Sequence, residues 1–109
     1  MEKLVIQIMS ADHWQQVLQM MDHNVEGGVL KVVAMSKAIF PVFLPCEIRR
    51  QLAKRLNDHI ELDICAVSML HAGIDAQDVD MMEGMHIVPG GMRTVLEARR
   101  NGFEYVVLA

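Results

Sequence analysis

A chain of 109 residues, 52% apolar but only 5% aromatic, has room for one core and one domain, and its apolar surplus is aliphatic and Met. The formal net charge of −4 comes without a basic cluster, which argues against nucleic acid as a main partner, because phosphate backbones are held by grouped Lys and Arg. No apolar run approaches the roughly 20 residues that span a bilayer, so no membrane partner is expected.

No charged segment leads into an apolar run and a small-residue cleavage site, so no secretory leader is expected either. The two cysteines, Cys46 and Cys65, are far apart and read as reduced thiols of a cytoplasmic protein. Arg49, Arg50, Lys54 and Arg55 sit at helical spacing, the pattern of a solvated helix face.

In chain order, Leu4 to Met9 reads as a short apolar strand. Ser10 or Asp12 caps a helix whose Trp14, Val17, Leu18 and Met21 recur at i, i+3, i+4 and i+7, and Asn24 with Gly27-Gly28 ends it. Val29 to Met35 is a second strand, apolar on both faces apart from Lys31. Ser36 to Leu44 is ambiguous, since Ala38, Ile39, Val42 and Phe43 have helical spacing but Pro41 interrupts them.

Pro45 is expected at the first position of a helix running to about Leu56, where its missing N–H costs nothing. That helix buries Ile48, Leu52 and Leu56. Ile60 to Cys65 is a third strand, with Ile60, Leu62 and Ile64 alternating with polar residues. Ala66 to Ala72 suits a short helix stopped by Gly73, and Asp75 to Met81 suits another turn or two. Met85 to Val88 is a fourth strand, Met92 to Arg100 a helix after the loop Pro89-Gly90-Gly91, and Phe103 to Leu108 a fifth strand.

Strands alternating with helices of these lengths imply βαβ units, right-handed crossovers and a parallel sheet covered on both faces: an α/β fold. The apolar surplus suits such a sheet, and a subunit interface as well. In an open parallel sheet, ligands gather beyond the carboxyl ends of the strands. Ser10, Ser36, Cys65, Gly90 and Gly91 all fall on that edge.

Cys65 closes the third strand and opens the next helix. Helix-start N–H groups lower a thiol's pKa and favour the thiolate, the form that attacks or accepts sulfur. The alternative is a small buried hydrophobe. Cys46, just after Pro45, presents the same choice as a second thiol candidate, and the sequence leaves open whether the two cysteines meet.

His13, His23, His59, His71 and His86 share no ligand-like spacing, so no metal site is expected. His71 stands near enough along the chain to support a Cys65 thiolate. Pro89-Gly90-Gly91 lies between strand and helix, where an anion cradle or a plain tight turn would both fit. The ten methionines read as packing or interface filler.

Four runs then fall in a familiar order: Ile60 to Ala66, ending a strand in Cys65; His71-Ala72-Gly73-Ile74; Gly84 to Gly91; and Arg99 to Tyr105, with its Gly102-Phe103-Glu104-Tyr105 close. Together they resemble the C-terminal half of DsrE/DsrF/TusD-like sulfur-relay proteins. Asp12-His13-Trp14, Asn24 and Val32-Val33-Ala34-Met35 agree more loosely with the first half.

The resemblance implies a three-layer α/β/α domain with a mainly parallel five-stranded sheet, assembled as a trimer or hexamer. It also implies a persulfide carried on Cys65 between sulfur donor and acceptor proteins, without a cofactor. Ser10, Ser36, Gly90 and Gly91 would line that pocket. The other readings are a non-catalytic oligomeric ligand-binding or regulatory domain, and a redox switch pairing Cys46 with Cys65.

Overall fold

The computed structural model describes residues 2–24 and 27–109. Strand β1 (Lys3–Ile8) leads through a 3-10 turn at Ala11–His13 into α1 (Trp14–Asp22). Of the two candidate caps Ser10 serves, its side chain accepting the Asp12 N–H at 3.3 Å. Trp14, Val17, Leu18 and Met21 are all buried, as the 3.6-residue period requires of one face.

Strand β2 (Val29–Ala34) is followed by a 3-10 turn at Ser36–Ile39 and the short α2 (Phe40–Phe43). Pro41 is tolerated there because it falls in the first turn of α2, where an N–H would have no intrahelical partner. Helix α3 spans Glu47–Arg55, so it starts later than the expected Pro45. Leu44, placed before a proline, is extended (φ −94, ψ 147), and Cys46 is extended too (φ −130, ψ 171), which makes Cys46 the N-cap and leaves Pro45 outside the helix.

Strand β3 (Ile60–Cys65) runs directly into α4 (Ala66–His71). The expected helix over 75–81 contracts to one 3-10 turn, Ala76–Asp78, capped by the Asp75 side chain on the Gln77 N–H at 2.9 Å. Val79 leaves it in extended conformation, and Val79 and Met82 pack against the core instead of continuing a helix. Strand β4 (Met85–Val88), α5 (Gly91–Arg100) and β5 (Glu104–Leu108) complete the chain.

All strand pairs are parallel and the sheet order is β4-β3-β2-β1-β5. Steps from β1 to β4 all go one way, so right-handed crossovers bring their connecting segments to one face. There Trp14, Val17, Leu52 and Met69 pack on Ile6, Ile8, Val32, Leu62 and Ile64. The return from β4 to β5 crosses the sheet in the opposite sense and lays α5 on the other face, where Val95 and Ala98 meet Val5 and Val33.

The architecture is therefore the expected three-layer α/β/α, but the layers are unequal. Among the described residues a single helix, α5, covers the second face. The buried polar side chains Gln7 and Asp63 both lie on that face, in register with Val33 between them.

Candidate functional site

The segment leaving β3 turns to the first face and the segment leaving β4 turns to the second. The carboxyl ends of these neighbouring strands are therefore the topological switch point, the place at which α/β folds put ligands. Cys65, paired in register with Val88, ends β3 at that point.

Its side chain points to the second face, toward the start of α5, and Sγ accepts the Gly91 N–H at 3.3 Å. Burial raises the thiol's pKa. Hydrogen bonds from the Ser68 hydroxyl and from the backbone N–H groups of Ser68, Gly91 and Val67 outweigh it, holding the thiol below its usual range. The Ser68 oxygen accepts the Ser36 N–H at 2.8 Å, so its own proton is free to turn toward the sulfur. Cys65 is 3% exposed.

Two backbone features hold this arrangement. A Cβ added to Gly91 would lie 2.7 Å from both Cγ and Sδ of Met35, so any side chain there would displace the Met35 side chain from beside the start of α5. Ser36 has φ 54, a left-handed conformation uncommon outside glycine, and it is this turn of the chain that offers its N–H to Ser68.

Of the expected pocket residues, Ser36 and Gly91 are brought to Cys65, the first through Ser68. The Gly90 carbonyl accepts the Thr94 hydroxyl at 3.1 Å in the first turn of α5, an N-cap task. Ser10 is used in capping its own turn. Cys46 donates its thiol to the Pro41 carbonyl at 3.2 Å, and both cysteines are free. His71 stands at the far end of α4, on a groove of about 340 Å³ that it lines with Ser36, Lys37, Phe40, Ser68 and Ala72.

Ser68 and Gln7 escaped the sequence reading. Ser68 follows Cys65 by three residues, one helical turn, a spacing that signals contact once Cys65 is placed at a helix start. Gln7, 3% exposed within an apolar strand, points its amide nitrogen at the sulfurs of Met92 (3.1 Å) and Met35 (3.3 Å), and its carbonyl oxygen accepts the Tyr105 hydroxyl. A lone amide in an apolar run was the available signal.

On the same face, register also gathers Lys31, Glu61, Asp63 and His86. Spacing along the chain hides this group, because it forms across three strands.

The donor set makes a titration prediction. In a Cys46→Ser protein, the rate of Cys65 alkylation should rise through a midpoint below that of an ordinary thiol, because the hydrogen-bonded thiolate persists to lower pH. Ser68→Ala should move the midpoint upward by removing the hydroxyl donor. A pH–rate profile by mass spectrometry checks this, and a midpoint unmoved by Ser68→Ala would contradict the assigned role.

Fold and site together define a small three-layer α/β/α protein with a covered cysteine at the switch point of its sheet. No protein-family model and no curated protein matches the sequence. Among solved structures, the chain is similar to a protein of unknown function from Methanobacterium thermoautotrophicum, with a TM-score of 0.80 and 19% identity over 99% of this chain and 100% of that one. At that identity the likeness shows the fold. No helix among the described residues is long and apolar enough to cross a membrane.

Proposed function

We propose that this protein is a sulfur carrier that holds a persulfide on Cys65 in the cytoplasm, in the manner of the DsrE/DsrF/TusD-like proteins its second half resembles. The observation that carries the reading is a sulfur at a strand-to-helix junction that accepts the Gly91 N–H at 3.3 Å and whose thiol is held below its ordinary range beside Ser68. Such a setting stabilises an anionic sulfur without a metal or cofactor.

The chemistry balances without an added oxidant. The Cys65 thiolate attacks the outer sulfur of a donor persulfide, a new S–S bond forms, the donor's S–S bond breaks, and the donor leaves as a thiolate. Ser68 belongs both to the donor set and to the wall of the groove that holds Lys37, so that groove is the proposed approach for an anionic sulfur donor. An acceptor thiolate reverses the step.

Cys46 plays no part in this reading, since its thiol is turned to the Pro41 carbonyl, within its own loop. Homo-oligomerisation, as a trimer or hexamer, belongs to the same proposal. Exposed Phe40, Val67 and Leu70, the last 75% exposed, give apolar surface to bury. Light scattering at micromolar concentration should give a multiple of the chain mass, and a monomer would contradict that part.

Sulfur carriage is tested by incubating the protein with a sulfane-sulfur donor, removing the donor, and adding cyanide. Cyanide takes the outer sulfur as thiocyanate and leaves the Cys65 thiolate. The expected yield approaches one thiocyanate per chain; a yield no higher than that of a denatured sample refutes the reading.

A further inference from the structure

We propose that Glu61, Asp63 and His86 form a binding site for one divalent transition-metal ion on the open flank of the sheet's second face. Asp63 and His86 are paired in register across β3 and β4, and Glu61 precedes Asp63 by two residues, which puts all three on one face. One ligand atom from each lies within 4.8 Å of the others. His86 Nδ1 is 3.5 Å from Glu61 Oε2 and 3.5 Å from Asp63 Oδ1. A tetrahedral ion with bonds of 2.0–2.1 Å separates its ligands by about 3.4 Å. Both separations from His86 already stand near coordination spacing.

A second observation points the same way. Asp63 is 2% exposed, and its Oδ1, the oxygen turned toward His86, has no hydrogen-bond partner. A buried carboxylate oxygen without a donor is costly, and a cation at that point would satisfy it.

Lys31 does not occupy the site. Its Nζ lies 3.6 Å from Glu61 Oε1 and 3.7 Å from Asp63 Oδ2, the two oxygens turned away from His86. Lying against the outer oxygens, it would orient both carboxylates, as outer partners of metal ligands do. His86 is 60% exposed, so the site opens to solvent at the edge strand and leaves a position for water or an exogenous ligand. One imidazole and two carboxylates suit zinc, manganese or ferrous iron.

The proposal is independent of sulfur carriage, and its test keeps the two apart. The full chain is prepared with both Cys46→Ser and Cys65→Ser, so that no thiol can take the metal, and is titrated with zinc chloride by calorimetry at neutral pH. One zinc per chain is expected. His86→Ala, an exposed position that should not disturb folding, and Asp63→Asn should each weaken binding by about tenfold or more. Cobalt in place of zinc should give a visible d–d band of low coordination number in the same protein, lost in His86→Ala. Absence of both heat and cobalt band, or binding unchanged by His86→Ala, would overturn the proposal and leave the cluster an ion-pair network.

Discussion

In a Cys65→Ser protein the sulfane-sulfur load should fall to background, while Cys46→Ser should keep one sulfur per chain. Both substitutions exchange sulfur for oxygen at nearly constant shape, so the difference between them reads chemistry, not packing. Cys65 Sγ accepts the Gly91 N–H, and Ser68 with the first N–H groups of α4 helps to hold its thiol below the ordinary range. Its negative form is therefore solvated by the protein even though the side chain is 3% exposed. Cys46 donates its thiol to the Pro41 carbonyl. Thiocyanate release on each variant is the measurement. Retention of the load in Cys65→Ser with its loss in Cys46→Ser would reverse the assignment.

The largest effect on stability is expected from Trp14→Ala. Trp14 is 0% exposed and central to the first-face core, and its indole N–H donates to the Ala38 carbonyl at 2.9 Å. Truncating a buried Trp costs about 3–5 kcal/mol, part of it for the cavity left behind. The Ala38 carbonyl would also lose its donor, which adds about 1–3 kcal/mol where water cannot replace it. Against a typical total of about 5–15 kcal/mol, the variant should be largely unfolded or melt some 15 °C or more lower, at about 4 °C per kcal/mol for a chain of this size. Trp14→Phe keeps most of the volume and should lie between. A thermal melt of Trp14→Ala within about 4 °C of the parent would place less than 1 kcal/mol at this position and contradict the packing account.

How much of this was legible in the sequence differs element by element. Helix α1 was readable because Trp14, Val17, Leu18 and Met21 satisfy one period with no competing signal. The end of β3 at Cys65 was readable because Ile60, Leu62 and Ile64 alternate up to it. The start of α3 was misplaced because Pro45 suits a first helical position but equally suits the residue before an N-cap, and the extended Cys46 decides between them. The stretch 75–81 was overextended because polar residues there tolerate a helix, while Val79 and Met82 gain more by reaching the core.

The site was half legible. That Cys65 lies at the carboxyl edge followed from strand order along the chain. That Gly91 reaches it follows from α5 crossing to the other face, a consequence of β5 pairing with β1 instead of extending the sheet beyond β4. That Ser36 supports Ser68 depends on a left-handed backbone no pattern of side chains announces. The Glu61, Asp63 and His86 group depends on the register between β3 and β4, a pairing separated by more than twenty residues of chain. Local periodicity carries no information about it.

Proteolytic mapping of the sulfur-loaded native chain by tandem mass spectrometry tests the central claim most directly. The account predicts a single added sulfur, about 32 Da, on the peptide that contains Cys65, removable by a reducing thiol. An added sulfur found only on the Cys46 peptide, or on neither, would contradict it.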